Sequence, residues 1–94
     1  MAKGYVIINE DIKDPEGMKA YMALAGPTLA GATVLVYDTN PEVIEGSQGA
    51  TQTIVLEFPS VEDAKAWYNS DAYQEAVKLR LAAADCSGVI VSGM

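Results

Sequence analysis

Histidine is absent from this chain, cysteine occurs once, and 6 basic residues stand against 13 acidic ones. Without histidine there is no Ser-His or Cys-His nucleophile pair and no imidazole acid or base. The commonest zinc and non-haem iron sites are excluded with it. Any chemistry must rest on Glu, Asp, Lys, Tyr, Arg or Cys86. A lone cysteine closes no disulfide within the chain, which favours a reducing, cytoplasmic setting. The adjacent Asp85 disfavours a thiolate, so Cys86 is not read as a nucleophile. Six scattered bases and a pI near 4.2 leave no phosphate-tracking surface. Nucleic acid and anionic membranes are therefore not expected partners.

Membrane and targeting signals are missing as well. Residues 20–37 carry no charge, but they are poor in Leu and Ile and include Gly26, Pro27, Thr28, Gly31 and Thr33. At the start of the chain, one Lys precedes a short apolar run and the acids Glu10, Asp11 and Asp14, which is not the pattern of a signal peptide. A soluble protein is expected. Its length of 94 residues fits one domain, 1–94, without repeats, linkers or low-complexity segments.

What is present is a hydrophobic half, punctuated by start and stop signals. Tyr5, Val6, Ile7 and Ile8 are β-branched or aromatic and predict a first strand over 4–8. Asp14-Pro15 predicts a helix start, with Asp14 as N-cap and Pro15 in the first helical position. Met18, Tyr21, Met22, Ala25 and Leu29 fall on one stripe at a ~3.6-residue period, through Gly26-Pro27, so a kinked helix is expected up to Gly31. Thr33 to Tyr37 predicts a second strand, with Asp38 to Pro41 as turn and Val43-Ile44 as a short continuation of the sheet. Thr51 to Phe58 predicts the third strand. Ser60 is expected to cap a helix, with Asp63 in the capping-box position. Asn69-Ser70-Asp71 then interrupts that helix and caps a segment reaching Ala84. Gly88 to Val91 predicts the last strand. The order β-α-β-β-α-β is that of an α+β, ferredoxin-like domain, with a four-stranded antiparallel sheet and helices on one face.

Lys3-Gly4-Tyr5, Asp14-Pro15, Tyr21, Gly26-Pro27, Glu45-Gly46, Glu57-Phe58-Pro59-Ser60, Ala64, Ala66-Trp67-Tyr68, Ser70, Tyr73-Gln74 and Arg80 recur along the chain in a recognisable spacing. In these residues the sequence resembles the small bacterial family called domain of unknown function 1330. The stretch from Glu57 to Gln74 is the most specific part. The resemblance implies a ferredoxin-like monomer that pairs into a dimeric α/β barrel, and it implies no activity. No cofactor is expected. Two departures stand out. Members often carry a basic residue after a Gly-Gly in the second-strand region, and Gly31 to Tyr37 has none, which argues against an anion site there. Asp71 stands where members often have Pro.

Arg80 is the most informative candidate. The helix from Asp71 puts Asp71, Gln74, Glu75 and Lys78 on a polar side and centres Arg80 on the opposite apolar arc. A guanidinium there must reach water, meet a carboxylate in a structural pair, or clamp an anion in a cleft between helix and sheet. Glu57 is the acid expected to be perturbed, at the end of an apolar strand. If it shares the helix side it can pair with Arg80; if Phe58 faces the helices instead, Glu57 points to the other side. As a general base Glu57 needs a raised pKa, which an adjacent Arg80 would oppose. Tyr21, Trp67, Tyr68 and Tyr73 supply core aromatics with polar tips, able to line an apolar pocket with Asn9 and Arg80. The acids Glu10, Asp11, Asp14 and Glu16 lack the spacing of a calcium loop and are read as helix-start acids, so no metal is expected. Gly46 to Gly49 precedes no helix and is not read as a phosphate loop.

Two functions of different class follow. One is a homodimer that binds a small ligand or serves a structural role. The other is a cofactor-independent enzyme, monooxygenase- or isomerase-like, with Arg80 orienting an anionic oxygen, Glu57 carrying the proton, and Asn9, Tyr21, Trp67 and Tyr73 positioning the substrate. The dimer itself is read from the strands, which are apolar on both parities: Val6 and Ile8 with Tyr5 and Ile7, Val34 and Val36 with Leu35 and Tyr37. Helices cover one sheet face only, so a second copy is expected on the other.

Overall fold

The computed structural model describes residues 2–46 and 51–94. Its elements are β1 (Gly4–Ile12), α1 (Pro15–Ala25), β2 (Thr33–Asp38), β3 (Gln52–Phe58), α2 (Val61–Tyr68), α3 (Asp71–Ala83) and β4 (Ala84–Ser92). The strands form one antiparallel sheet in the order β2-β3-β1-β4. This is the ferredoxin-like α+β arrangement, with the helices on one face. No helix among the described residues is long and apolar enough to cross a membrane.

Alternation along the strands decides what each face carries. Val6, Ile8, Ile54, Leu56 and Phe58 are buried under the helices with Met18, Tyr21, Ala25, Ala64, Trp67, Tyr73, Ala76, Val77 and Ala83. The intervening residues Tyr5, Ile7, Asn9, Thr53, Val55 and Glu57 face the other way and are half-buried. In β2 the register shifts between Val34 and Val36, so Val34 pairs with Leu56 while Val36 pairs with Val55 on the opposite face. All six β2 residues are exposed.

The helix starts follow local chemistry in part. Ser60 Oγ accepts from the Asp63 amide at 3.1 Å, and Ser70 Oγ accepts from the Tyr73 amide at 3.2 Å. Asp14 departs from expectation: it occupies the N-cap position with Pro15 after it, but its side chain makes no capping bond. The entry to α1 is held by the main chain instead, where the Lys13 and Asp14 amides both donate to the Ala83 carbonyl at 2.8 and 2.9 Å. Past Ala25 the stripe continues as a 3-10 turn over Gly26–Leu29, because Pro27 has no N–H for the helical ladder.

Three boundaries differ from the sequence reading. β1 runs on to Ile12 and β4 spans Ala84–Ser92, since Asn9 to Ile12 pair with Ser87 to Ala84 across the sheet. The sequence reading ends the strand at Ile8 and takes Glu10 and Asp11 as helix-start acids; the ladder keeps them extended. Val43-Ile44 forms no strand, and Ile44 is exposed. Ser47, Gln48 and Gly49 of the glycine-flanked loop lie outside the described residues.

One close approach fixes how α2 meets the sheet. A Cβ at Gly4 would lie 2.7 Å from Val61 Cα and closer still to the Ser60 carbonyl. Gly4→Ala is expected to destabilise the fold by about 1–3 kcal/mol through overpacking, measured by denaturant unfolding. An unchanged unfolding midpoint would show that the α2 start can shift freely.

Candidate functional site

The helix-side face of the sheet is built in cross-strand rows. Leu56, Val6 and Ile90 form one row across β3, β1 and β4; Ile54, Ile8 and Gly88 form the next; Gln52, Glu10 and Cys86 form the third. The first is apolar, the second contains a gap at Gly88, and the third is polar. Glu10 is 1% exposed and accepts at Oε1 from Gln52 Nε2 at 2.7 Å, while its Oε2 has no partner among the described residues.

Arg80 reaches this polar row from α3. It is 4% exposed, and its Nε has no hydrogen-bond partner among the described residues. Its Cζ lies 5.8 Å from the Tyr21 ring centroid, a cation–π distance. The Tyr21 and Tyr73 hydroxyls share a hydrogen bond of 2.9 Å. Trp67 stacks on Tyr73 with centroids 4.0 Å apart and donates from Nε1 to Thr28 Oγ1 at 2.9 Å. Thr28 sits in the 3-10 turn and donates to the Ala25 carbonyl, so the Gly26-Pro27 kink places the acceptor that Trp67 uses.

Beside Arg80 lies a cleft of about 300 Å³ between α2, α3 and the outer strand β4. Val6, Ile8, Leu81, Val89, Ile90 and Tyr68 line it with Arg80, Cys86 and Gly88. Burial drives the local protonation states. It pushes the Glu10 carboxyl upward, against the opposing pull of Gln52 and Arg80. It raises Tyr21, with the Tyr73 hydrogen bond adding to the effect. Tyr73 is raised by burial although Tyr21 and Arg80 act the other way. The Cys86 thiol also rises through burial, opposed by Arg80. Burial works against the charge on Arg80, but Tyr73, Tyr21, Cys86 and Glu10 outweigh it, and its pKa is raised. At neutral pH the cleft therefore presents a thiol at Cys86 and a permanent cation at Arg80, and the buried Tyr21 and Tyr73 phenols behind Arg80 stay neutral.

Of the residues singled out in the sequence, Arg80, Tyr21, Trp67 and Tyr73 come together on the helix side. Glu57 and Asn9 do not join them. Phe58 faces the helices, so Glu57 emerges on the opposite sheet face, where it accepts from Tyr5 Oη at 3.1 Å and pairs with Lys3 at 3.2 Å. A Glu57–Arg80 pair is thereby excluded within the chain. Asn9 shares that face and accepts from Thr53 Oγ1 at 2.9 Å. The carboxyl beneath Arg80 is Glu10, which belongs to a strand rather than to a helix start. Its signal was parity: Glu10 follows Val6 and Ile8 on one face, and Gln52 precedes Ile54 and Leu56.

The model of the family described as Domain of unknown function (DUF1330) matches residues 3–94. The chain belongs to that family. Among solved structures it is similar to a structural-genomics target of unknown function from Rhodopseudomonas palustris, at 20% identity and a TM-score of 0.81 over 99% of this chain and 83% of the other. It is also similar to a dimeric ferredoxin-like protein of unknown function from Jannaschia, at 15% identity and a TM-score of 0.70 over 95% and 97%. A third is a dabb family protein with a ferredoxin-like fold from Mesorhizobium loti, at 11% identity and a TM-score of 0.71 over 100% and 99%. No curated protein matches the chain in sequence. These likenesses bear out the ferredoxin-like architecture; the DUF1330 match carries a domain of unknown function and no reaction.

Glu10 makes the site's protonation testable. Its folded carboxyl is raised, so between the unfolded and folded pKa values the folded state holds the extra proton and stability falls as pH rises. Glu10→Gln keeps an acceptor for Gln52 and removes that loss. Its melting temperature is expected to match wild type near pH 4 and to equal or exceed it near pH 8, in a thermal melting series. A deficit that grows with pH would mean that ionised Glu10 stabilises Arg80.

Proposed function

We propose that this DUF1330 protein is a homodimer that binds a small ligand in the cleft beside Arg80. The observation that carries the dimer is the row Val36, Val55, Ile7 and Val89, which runs across all four strands on the face without helices. Val36 and Val89 are exposed, as is Val91, which shares the face of Val89. An antiparallel sheet with one wet face carries polar residues there, and a continuous apolar patch of this kind marks an interface. Stacking two such sheets buries the row and adds the core that a chain of this length lacks. Tyr5, Asn9, Thr53 and Glu57 flank the row and would form the polar rim of that interface. The lone Cys86 supports a reducing, cytoplasmic setting.

Binding is better supported than catalysis. The expected proton carrier Glu57 points away from the cleft, Cys86 is held as a thiol, and the Tyr21 and Tyr73 hydroxyls are bonded to each other behind it. Tyr21, Trp67 and Tyr73 serve this reading as the rigid wall behind Arg80.

Sedimentation velocity at micromolar concentration is expected to give a species of twice the chain's 9.9 kDa, and Ile7→Asp is expected to shift it toward monomer or unfolded chain. A folded wild-type monomer would sink the dimer. For the cleft, a fragment library screened by melting shift should yield stabilising fragments for wild type that lose their effect in Gly88→Val. A Cβ at Gly88 meets only ordinary contacts, so that variant fills the cleft while leaving the strand intact. Fragments that stabilise both proteins equally would locate binding elsewhere.

A further inference from the structure

We infer that the cleft selects a ligand with one carboxylate on a compact apolar body, the carboxylate seated on the Arg80 guanidinium. This deepens the reading of the cleft as a ligand site and depends on it.

The head group follows from the charge balance around Arg80. A guanidinium removed from water demands a partner, because an unpaired buried charge is strongly unfavourable. Among the described residues no carboxylate forms an ion pair with it, and its Nε is left without an acceptor. Glu10, the acid beneath it, accepts from Gln52 through one oxygen, and its unpartnered second oxygen lies beyond ion-pair distance of Arg80. An external planar anion that accepts two parallel N–H bonds completes the arrangement. One negative charge fits better than two. No lysine and no second arginine lines the cleft, and Arg80 stands in the last turn of α3, where the helix dipole disfavours further negative charge.

The body follows from the walls. Val6, Ile8, Leu81 and Ile90 offer no hydrogen bonds, and Tyr68 adds an aromatic face. The space itself comes from Gly88, the member of the Ile54, Ile8, Gly88 row that has no side chain. Its φ lies outside the left-handed region and a Cβ would be accommodated, so the backbone does not require glycine there. What glycine supplies is room. A cleft of about 300 Å³ holds on the order of ten non-hydrogen atoms at ~30 Å³ each.

The test compares hexanoate, benzoate and phenylacetate with their primary amides, and with inorganic phosphate, by titration calorimetry at constant ionic strength. Wild type is expected to bind at least one carboxylate about tenfold or more tightly than its amide, and more tightly than phosphate. Arg80→Met is expected to lose that preference while retaining amide binding, and Gly88→Val to lose both ligands. Should Arg80→Met fail to fold, the wild-type comparison together with Gly88→Val decides alone. Equal binding of carboxylate and amide, both abolished in Gly88→Val, would overturn the carboxylate while leaving the cleft as a ligand site. Preference for phosphate would overturn it likewise. Binding of neither carboxylates nor amides would overturn both readings.

Discussion

A charged guanidinium lies where α3 meets the sheet, with 4% of its surface exposed, and the site is organised around keeping it there. The Tyr21 ring stands over one side, and the Tyr21–Tyr73 hydroxyl pair closes the inner wall. Trp67 braces Tyr73 and is itself anchored on Thr28, in the turn that Pro27 imposes after α1. Glu10 and Gln52 form the polar floor. Each of these contacts restricts Arg80 to one region, yet among the described residues none supplies the carboxylate that buried arginines usually meet. The site is cationic and incompletely satisfied.

The sheet separates two kinds of surface. Its helix side carries the core, the aromatic wall and the cleft. Its other side carries an apolar row between two more polar ones, Thr33, Glu57, Tyr5 and Val91 at one end and Asp38, Thr53, Asn9 and Ser87 at the other. An apolar centre with a polar margin on this face is what the proposed self-association rests on.

Much of the fold was legible before the structure. Ser60 and Ser70 cap the helices that their positions announced, and the Gly26-Pro27 kink falls within the expected stripe. The failures share a cause. Glu10 and Asp11 look like helix-start acids and are in a strand because β4 pairs with them; Val43-Ile44 look like a strand and form none. Asp14 has the chemistry of a cap, but the Ala83 carbonyl takes the main-chain amides at that corner. In each case a long-range hydrogen bond, or its absence, overrode a local preference.

The site shows the same division. Helical periodicity alone centred Arg80 on an apolar face, and composition alone removed histidine chemistry and disulfides. Both are properties of residue type and spacing, which need no partner element. Which carboxyl lies beneath Arg80 was a different kind of question. Glu57 and Glu10 are both acids on apolar strands, and only the strand register, set by which side chains the helices bury, sends Glu57 and Asn9 to one face and Glu10 to the other. The sequence by itself determined the elements, their order and the presence of an arginine in the core. The tertiary structure alone decided the neighbours of that arginine, because strand parity has two solutions and packing selects one.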